Sequence, residues 1–360
     1  MSTSNEFILS EDTLVKLLKA KKESGFEDET WDRWFLHVFS NEEDEKSSKD
    51  QIIDTFFYEN DFEQWIKNFT LNLNYIQNES SAKNIIQNED DNDEFAIIIG
   101  AGPSLKKHKH LEKLAKSNYR GTIICTDRSL IPALKAGVTP EKFPSFFVVT
   151  IDAYKKITNY YDDEIVKKFG PLIKGIFSVL TSPDVMNRVR NVGIKIHWIH
   201  SLFDYAEGQK SFNHISALMI RSKNPDHKLP AIQTGGNVGT SSWFLAWKIL
   251  KCKTICLIGL NHGWEEDDPQ DLILSHGATG DISQLTLDDE SFDRMFPKIF
   301  NPDFQTYCIL DPIFQYYSSA FKEFIIRSPE EVTTINSTEG GSLFGERILC
   351  VKFTEFLSKF

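Results

Sequence analysis

Phe95-Ala-Ile-Ile-Ile-Gly-Ala-Gly-Pro-Ser-Leu105 decides how the rest of the chain is read. Ile97, Ile98 and Ile99 follow one another with no polar residue between them. A strand buried on both faces of a parallel sheet reads this way. The chain then turns at Gly100-Ala-Gly102. Pro103 pre-sets φ for a first helical turn, and Ser104 suits a helix start. The spacing predicts a helix over Lys106–Lys116, with Leu111 and Leu114 on one face. Strand, glycine turn and helix start together make an anion site, because backbone N–H groups and the helix dipole converge on one point. Lys106, Lys107, His108 and Lys109 add positive charge. Leu105 stands where a full dinucleotide fingerprint has its third glycine, so the stretch also reads as a plain tight βα turn.

Downstream, strands and helices alternate. Strands are expected at Thr122–Asp127, Phe146–Ile151, Gly175–Leu180, Ile194–Ile199, Thr254–Leu260 and Val332–Ile335. Leu130–Ala136 reads as a short helix closed by Gly137, Phe314–Ile326 as an aromatic-rich helix, and 202–229 as a long polar excursion. The pattern predicts an α/β fold with a doubly wound parallel sheet. A second glycine turn, Gln233-Thr-Gly-Gly-Asn-Val-Gly-Thr-Ser-Ser242, leads into a helix over Trp243–Leu250. Gly235, Gly236 and Gly239 free the backbone there, while Asn237 and Thr240 supply polar side chains at a helix start. That suits a second anion or the ribose and base of a nucleotide, though a capped helix after a flexible turn reads the same way. One diphosphate-linked ligand bridging both turns explains the two together.

Asp127 and Asp152 each stand where a strand stops. Ligands of open α/β sheets bind outside the carboxyl ends of strands. Either acid can orient a ribose or hold Mg²⁺ through a phosphate, and Asp127 can equally cap a helix. His197 and His200 lie three apart on a strand, so they face opposite sides and make a poor metal pair. His200, at the strand end, is one acid/base candidate. His262, beside Asn261 in Leu257-Ile-Gly-Leu-Asn-His-Gly263, is the other. Asn336-Ser-Thr-Glu-Gly-Gly341 is either a plain turn or a segment that returns the chain to the site.

Composition narrows the function classes. A net charge of −12 argues against nucleic acid as a main partner. No apolar run reaches the roughly 20 residues of a membrane span. The polar, acidic start predicts no signal peptide, and five scattered cysteines predict buried thiols in a reducing cytoplasm. Residues 1–90 read as a helical N-terminal region, with Leu14, Leu17 and Leu18, then Trp31, Trp34, Phe35 and Val38, at helical spacing. Ile52–Ile76 reads as one helix or a broken pair. The acidic run Asn88–Glu94 marks a linker, 95–345 the α/β domain, and 346–360 a C-terminal helix.

Taken in order, Ile-Ile-Ile-Gly-Ala-Gly-Pro-Ser-Leu105, Ile-Cys-Thr-Asp127, Gly-Gly-Asn-Val-Gly-Thr240 and Leu-Ile-Gly-Leu260 resemble the MptE-like domain. That domain is named for archaeal 6-hydroxymethyl-7,8-dihydropterin diphosphokinase, and its family includes the Maf motility accessory proteins. The Gly-x-Gly-Pro-Ser-Leu start is also similar to bacterial sialyltransferases that use CMP-sugars. The resemblance covers about 95–260, and 336–341 looks like a Maf-type tail. Departures are visible. Thr150-Ile-Asp152-Ala153 stands where the pterin kinases have Asp-Leu-Asp-Gly, and Asn261 where relatives more often have Asp. Their His-Ala-His-Gly-Asp-Asn segment corresponds here to His197-Trp-Ile-His200-Ser-Leu.

The resemblance implies a Rossmann-like, nucleotide-dependent transferase. Gly100, Gly102, Pro103 and Ser104 would hold phosphate. Gly235, Gly236, Asn237, Gly239, Thr240 and Asn261 would hold another part of a nucleotide or nucleotide sugar. Asp127 and Asp152 would be the acids for Mg²⁺, with Asp152, His200 or His262 acting in catalysis. The expected reaction is glycosyl transfer to a sugar or glycoprotein. The alternatives are pyrophosphoryl transfer from ATP to a hydroxymethyl-pterin, and a nucleotide-binding partner module without turnover.

Overall fold

The computed structural model describes residues 46–85, 94–202, 211–269, 273 and 296–360, with side chains of the first helix from Phe62 onward. The helices expected over residues 11–38 lie outside the described residues. The chain divides into two compact units, residues 63–261, 320–339 and 343–360 forming the one that carries the sheet.

In chain order the elements are α1 (Lys46–Asn78), β1 (Ser80–Ser81), β2 (Phe95–Ile99), α2 (Ser104–Lys107), α3 (His110–Lys116) and β3 (Thr122–Thr126). There follow α4 (Asp127–Lys135), β4 (Phe146–Thr150), a 3₁₀ turn over Lys155–Tyr161, α5 (Glu164–Phe169), β5 (Lys174–Ser178), α6 (Pro183–Asn191) and β6 (Lys195–Ser201). Next come α7 (Phe212–Arg221), β7 (Ala231–Ile232), α8 (Val238–Phe244), β8 (Thr254–Ile258), β9 (Lys298–Asn301) and β10 (Thr306–Ile309). The chain closes with α9 (Pro312–Ile326), β11 (Thr333–Asn336), β12 (Ile348–Cys350) and α10 (Phe353–Leu357).

The sheet runs β1-β6-β5-β4-β3-β2-β8-β11-β12, with β7 paired to β6. All its pairings are parallel. Alternate residues of β2 enter opposite cores: Ile97 and Ile99 one, Ala96 and Ile98 the other. The first core is closed by Phe69 of α1, Leu111 and Leu114 of α3, Leu130 and Leu134 of α4, and Phe353 and Phe356 of α10. The second is closed by Trp243 of α8 and by Phe321 and Ile325. Helices on both faces of a parallel sheet make the fold doubly wound, as the sequence predicts. Each buried isoleucine of β2 contributes about 1.5–3 kcal/mol, so this strand is the centre of the fold.

From β2 the chain steps outward through β3, β4, β5 and β6 in sequence order, while β8 pairs with the other side of β2. The order reverses there, and in open α/β sheets such a switch point is where ligands bind, outside the carboxyl ends of the strands. The Gly100 N–H donates to Ile258 O and the Gly102 N–H to Gly259 O, both at 2.8 Å. A Cβ on Gly100 would meet Gly259 O at 2.3 Å, and one on Gly102 would meet Asn261 Oδ1 at 2.2 Å. These two positions are glycine because two backbones cross at contact distance.

Several local expectations change in the folded chain. The helix expected over Lys106–Lys116 breaks at Lys109, whose φ is +53. The break turns His110 inward, and its Nε2 lies 3.2 Å from Glu339 Oε1. Residues 52–76 belong to one helix, α1. The helix expected from Trp243 starts at Val238, and its last turn, Leu245–Ile249, loosens into π geometry. The polar excursion contains α7, and residues 346–360 hold strand β12 before α10. β12 is short enough that its register on β11, not its own pattern, defines it.

The second unit contains 262–319 and 340–342. In it β9 and β10 pair antiparallel, and Trp264 forms an antiparallel bridge with Ile309. Asp311 caps α9: Oδ1 accepts from Phe314 N at 2.7 Å and Oδ2 from Trp264 Nε1 at 2.8 Å. Among the described residues no helix is long and apolar enough to cross a membrane.

Gly100→Ala tests the crossing. The added methyl meets backbone on β8, which cannot swing aside, so denaturant unfolding should show a loss of about 1–3 kcal/mol. Ala101→Gly, at an exposed neighbour, should change stability by less than about 1 kcal/mol.

Candidate functional site

The site is built where β2, β3, β4 and β8 end. Leu260, two residues beyond β8, is the wedge that joins its loops. Its Cδ2 lies 2.6 Å from where a Gly100 Cβ would be and 2.5 Å from where a Gly239 Cβ would be. The two glycine turns are therefore neighbours, and Leu260 fills the cleft between them. Asn261 follows, nearly buried, its Oδ1 accepting from Ser104 Oγ at 2.9 Å. The Leu260 N–H donates to Thr338 Oγ1 at 3.3 Å, and Ser337 N to Leu257 O at 2.9 Å. Asn336-Ser-Thr-Glu339 thus returns the chain to this edge.

The second turn is capped from within. Asn237 Oδ1 accepts from Thr240 N at 2.9 Å, and Thr234 Oγ1 accepts from Gly236 N at 3.2 Å. Gly235, at φ +57, closes the turn over Thr240. Gly236 is exposed, Asn237 half-exposed and Thr240 buried. The helix that follows packs across β2, β3 and β4. Its N-terminus is a favourable place for an anion. The first turn differs: the N–H groups of Gly100 and Gly102 serve β8. What it offers outward is Ala101 and Pro103, both exposed, with Gly102 half-exposed between them.

The acids sit one and two strands along. Asp127 opens α4 and is almost fully buried. Its Oδ1 accepts from Arg128 N at 2.7 Å and its Oδ2 from Thr150 Oγ1 at 3.1 Å. Tyr161 OH lies 2.6 Å from Thr150 Oγ1. Because the Thr150 proton points to Asp127, Tyr161 donates to Thr150. Ser129 Oγ donates to Ile99 O at 2.7 Å, which ties the start of α4 to the end of β2. Burial pushes the Asp127 carboxyl up to about 7, and the charge of Asp152 adds to the rise. The hydrogen bonds from Arg128 N and Thr150, and the Arg128 charge, act against it. Tyr161 is held well above its ordinary value by burial and then by Asp127. Asp152 is half-exposed just past β4. A buried carboxyl raised in this way beside a second acid is an arrangement that recurs at functional sites.

A family model described as 6-hydroxymethylpterin diphosphokinase MptE-like matches residues 67–267. The chain belongs to the MptE-like family. A search of the curated proteins finds no match. Among solved structures, the MptE-like chain is similar to the Maf glycosyltransferase of Magnetospirillum magneticum AMB-1, at 14% identity and a TM-score of 0.54. The likeness covers 81% of this chain and 39% of that one, so this chain spans about two fifths of that protein. It shows a shared fold.

Within this MptE-like fold, Gly100, Gly102, Ser104, Gly239 and Asn261 come together around Leu260, with Asp127 tied to the same edge through Ser129. His200 stands farther along the sheet. His200 ends β6, and β5 lies between β6 and β4, which places it about 10 Å along the sheet from β4. It is buried, with Nε2 2.7 Å from Ser216 Oγ, which donates to Phe212 O. That makes Nε2–H the donor, and the bond ties α7 to β6. His262 belongs to the other unit, where its ring stacks on Phe314 at 16° between planes. Its φ is +41, and its carbonyl accepts from Ser342 Oγ at 2.6 Å.

Thr150, Tyr161 and Glu339 are polar partners that sequence reasoning does not single out. Thr150 carried a signal, since it ends a strand two residues before Asp152. Tyr161 carried none, because only the 3₁₀ turn brings it back beneath β4. Glu339, at φ +62, accepts from His110 Nε2 and from Phe353 N at 3.2 Å, with His108 Nδ1 at 3.8 Å. Burial pushes His110 down to about 4 against the pull of Glu339. Burial alone would raise Glu339, but the Phe353 N–H, His110 and His108 together hold it below its ordinary value. Both directions fit a neutral imidazole donating to a carboxylate.

A phosphate-borne Mg²⁺ keeps several waters and needs one or two carboxylates. Half-exposed Asp152 fits that role better than Asp127, both of whose oxygens already accept hydrogen bonds. Among the described residues no group of three or more His, Cys, Asp or Glu is placed to hold a metal by itself.

Two pH effects follow. Asp127 titrates near 7 in the fold and at 3.8 when unfolded, so the native state keeps a proton the unfolded chain releases. Stability is therefore lost as pH rises from about 4 to 7, and Asp127→Asn should stabilise the protein by roughly 1–3 kcal/mol at pH 8. His110 works the other way, falling from 6.5 to about 4 on folding. Its contribution is complete above pH 6.5 and is lost toward pH 4. In urea unfolding the two slopes should nearly cancel between pH 4 and 6.5 in the parent, whereas over that range stability should rise with pH in Asp127→Asn and fall with pH in His110→Asn.

Proposed function

We propose that this protein is a transferase acting on a nucleotide-linked donor, and that the reaction is glycosyl transfer from a nucleotide sugar. The observation that supports this most directly is the convergence at one sheet edge. Two glycine turns are wedged together by Leu260, and the Asp127–Asp152 pair stands beside them on the neighbouring strand ends. The N-terminal end of α8, at Gly236–Gly239, is the seat for donor phosphate, where the helix dipole favours negative charge. Ala101–Pro103 forms the opposite lip.

In this reading Asp152 touches the acceptor. It accepts the proton of an acceptor hydroxyl as that oxygen bonds to the anomeric carbon, while the nucleotide phosphate departs with the electrons of the broken bond. Asp127 acts behind it, fixed by Arg128 N and Thr150. Burial of Asp127 and the charge of Asp152 raise the cost of ionising both carboxyls, and half-exposed Asp152 is the one that meets the acceptor. Mg²⁺ on the donor phosphates would supply charge neutralisation for the leaving group.

The family match favours a second reading, ATP-dependent pyrophosphoryl transfer to a 6-hydroxymethyl-pterin. The same phosphate seat and Asp152 would serve it, with Mg²⁺ carrying most of the electrostatic load.

Thermal unfolding and calorimetry with CMP, CMP-sugars, UDP, GDP and ATP, each with and without Mg²⁺, separate these. Stabilisation by a sugar nucleotide is expected, with Asp152→Asn retaining binding and losing at least about 100-fold in turnover. Gly239→Val should abolish binding. Stabilisation by ATP alone, and only with Mg²⁺, would move the conclusion to the pterin reaction. If no nucleotide changes the melting temperature, the transferase reading fails.

A further inference from the structure

One cleft on the sheet-bearing unit is not explained by the donor site. The 3₁₀ turn Lys155–Tyr161 and helix α6 enclose an open cavity of about 420 Å³. Lys155, Lys156, Asn159, Asn187, Arg188 and Asn191 contribute to its wall, with Asp184 the acid among them. Its size lies within the range of small-molecule sites, but those are mostly apolar. This wall is amide, ammonium and guanidinium. Its three cations, Lys155, Lys156 and Arg188, meet two acids, Asp184 and Asp162, which leaves one positive charge over in a chain whose net charge is −12. Such a cleft concentrates anions.

The cleft's position is set by a buried clamp. Asn68 of α1 donates through Nδ2 to Ala153 O and to Leu180 O, both at 2.9 Å. Its Oδ1 accepts from Gln64 Nε2 at 2.7 Å. One side chain therefore fixes the two loops that leave β4 and β5. The first loop carries Asp152 and, three residues on, Lys155. The second leads to Asp184. Lys155 Nζ and Asp184 Oδ2 lie 3.3 Å apart, both well exposed. A surface pair of this kind is worth little and gives way readily to another anion. Arg188 pairs with Asp162 through NH2, and its buried Nε has no hydrogen-bond partner.

We propose that this cleft is the acceptor seat, and that it takes a hydroxyl-rich anion, a sugar carrying a carboxylate or a phosphate. The lysines and Arg188 meet the charge. Asn159, Asn187 and Asn191 each offer a donor and an acceptor, which is what vicinal hydroxyls need. Lys155 stands three residues after Asp152 on the segment that leaves β4, so the seat and the carboxylate proposed to take the proton belong to one stretch of chain. The role as acceptor seat rests on the transferase reading; the binding itself does not.

The test is calorimetry on the whole chain with glucuronate, glucose 6-phosphate, inorganic phosphate and glucose. Glucuronate or glucose 6-phosphate should bind, and whichever does identifies the anionic group. Glucose and inorganic phosphate should bind at least tenfold more weakly. Lys156→Ala and Asn187→Ala, both at exposed positions, should each weaken binding about fivefold or more with unchanged circular dichroism and melting temperature. No binding by any of the four overturns the proposal. So does inorganic phosphate binding as tightly as the sugar phosphate, or variants that bind like the parent. Nucleotide titrations on the same samples stand apart: sugar-anion binding without nucleotide binding would leave this seat in place and remove the transferase reading.

Discussion

The structure depends on one close approach, the crossing of the turn after β2 over the turn after β8. Gly100 and Gly102 donate to β8 carbonyls at 2.8 Å, and neither position has room for a Cβ. The reciprocal position is equally tight, since a Cβ on Gly259 would meet Leu105 Cγ at 2.6 Å. This contact closes the point where strand order reverses. It also sets Leu260 between the two glycine turns and brings Asn261 to Ser104. The same residues that suggest a phosphate cradle in the sequence are, in the fold, a backbone-to-backbone joint.

Around that joint the polar groups divide by face. Toward β3 and β4, Asp127, Thr150 and Tyr161 form a chain of hydrogen bonds that ends at a buried carboxyl. Toward α3 and α10, Glu339 gathers His108, His110 and the Phe353 N–H. The two clusters have opposite protonation logic. Burial keeps a proton on Asp127 and keeps one off His110. Both shifts cost stability at one end of the pH scale, and only the Asp127 pair stands at strand ends where ligands bind. A strained or costly group at such a place is the expected signature of function, whereas the Glu339 cluster holds the C-terminal helix in position.

The legible part of the fold was the part carried by unbroken local pattern. Ile97-Ile98-Ile99 and the five-residue strands after it announce themselves through short apolar runs. The lone turn at Lys109 did not, because nothing in Lys106–Lys116 forbids a continuous helix. The reason for the break, Glu339, lies 229 residues away. β12 and the hairpin of β9 and β10 were likewise invisible, being too short or too mixed in composition to show a period. Of the candidate site, the two acids were readable as strand-end residues. His200 and His262 satisfied the same rule, and the fold places one at a structural hydrogen bond to Ser216 and the other among aromatic rings in a separate unit.

The sequence by itself determined the α/β class, the central strand, the glycine turns and the strand-end acids. Each rests on local chemistry: burial of consecutive isoleucines, the backbone freedom of glycine, the habit of acids at strand ends. Only the tertiary structure decided which backbone donors the joint consumes, that Leu260 joins the two turns, and that burial raises the Asp127 carboxyl. Those depend on distances between segments more than 100 residues apart, such as Ser104 to Asn261, separated by 157. No local pattern encodes such a distance, because it is the packing of the whole sheet that brings the segments together.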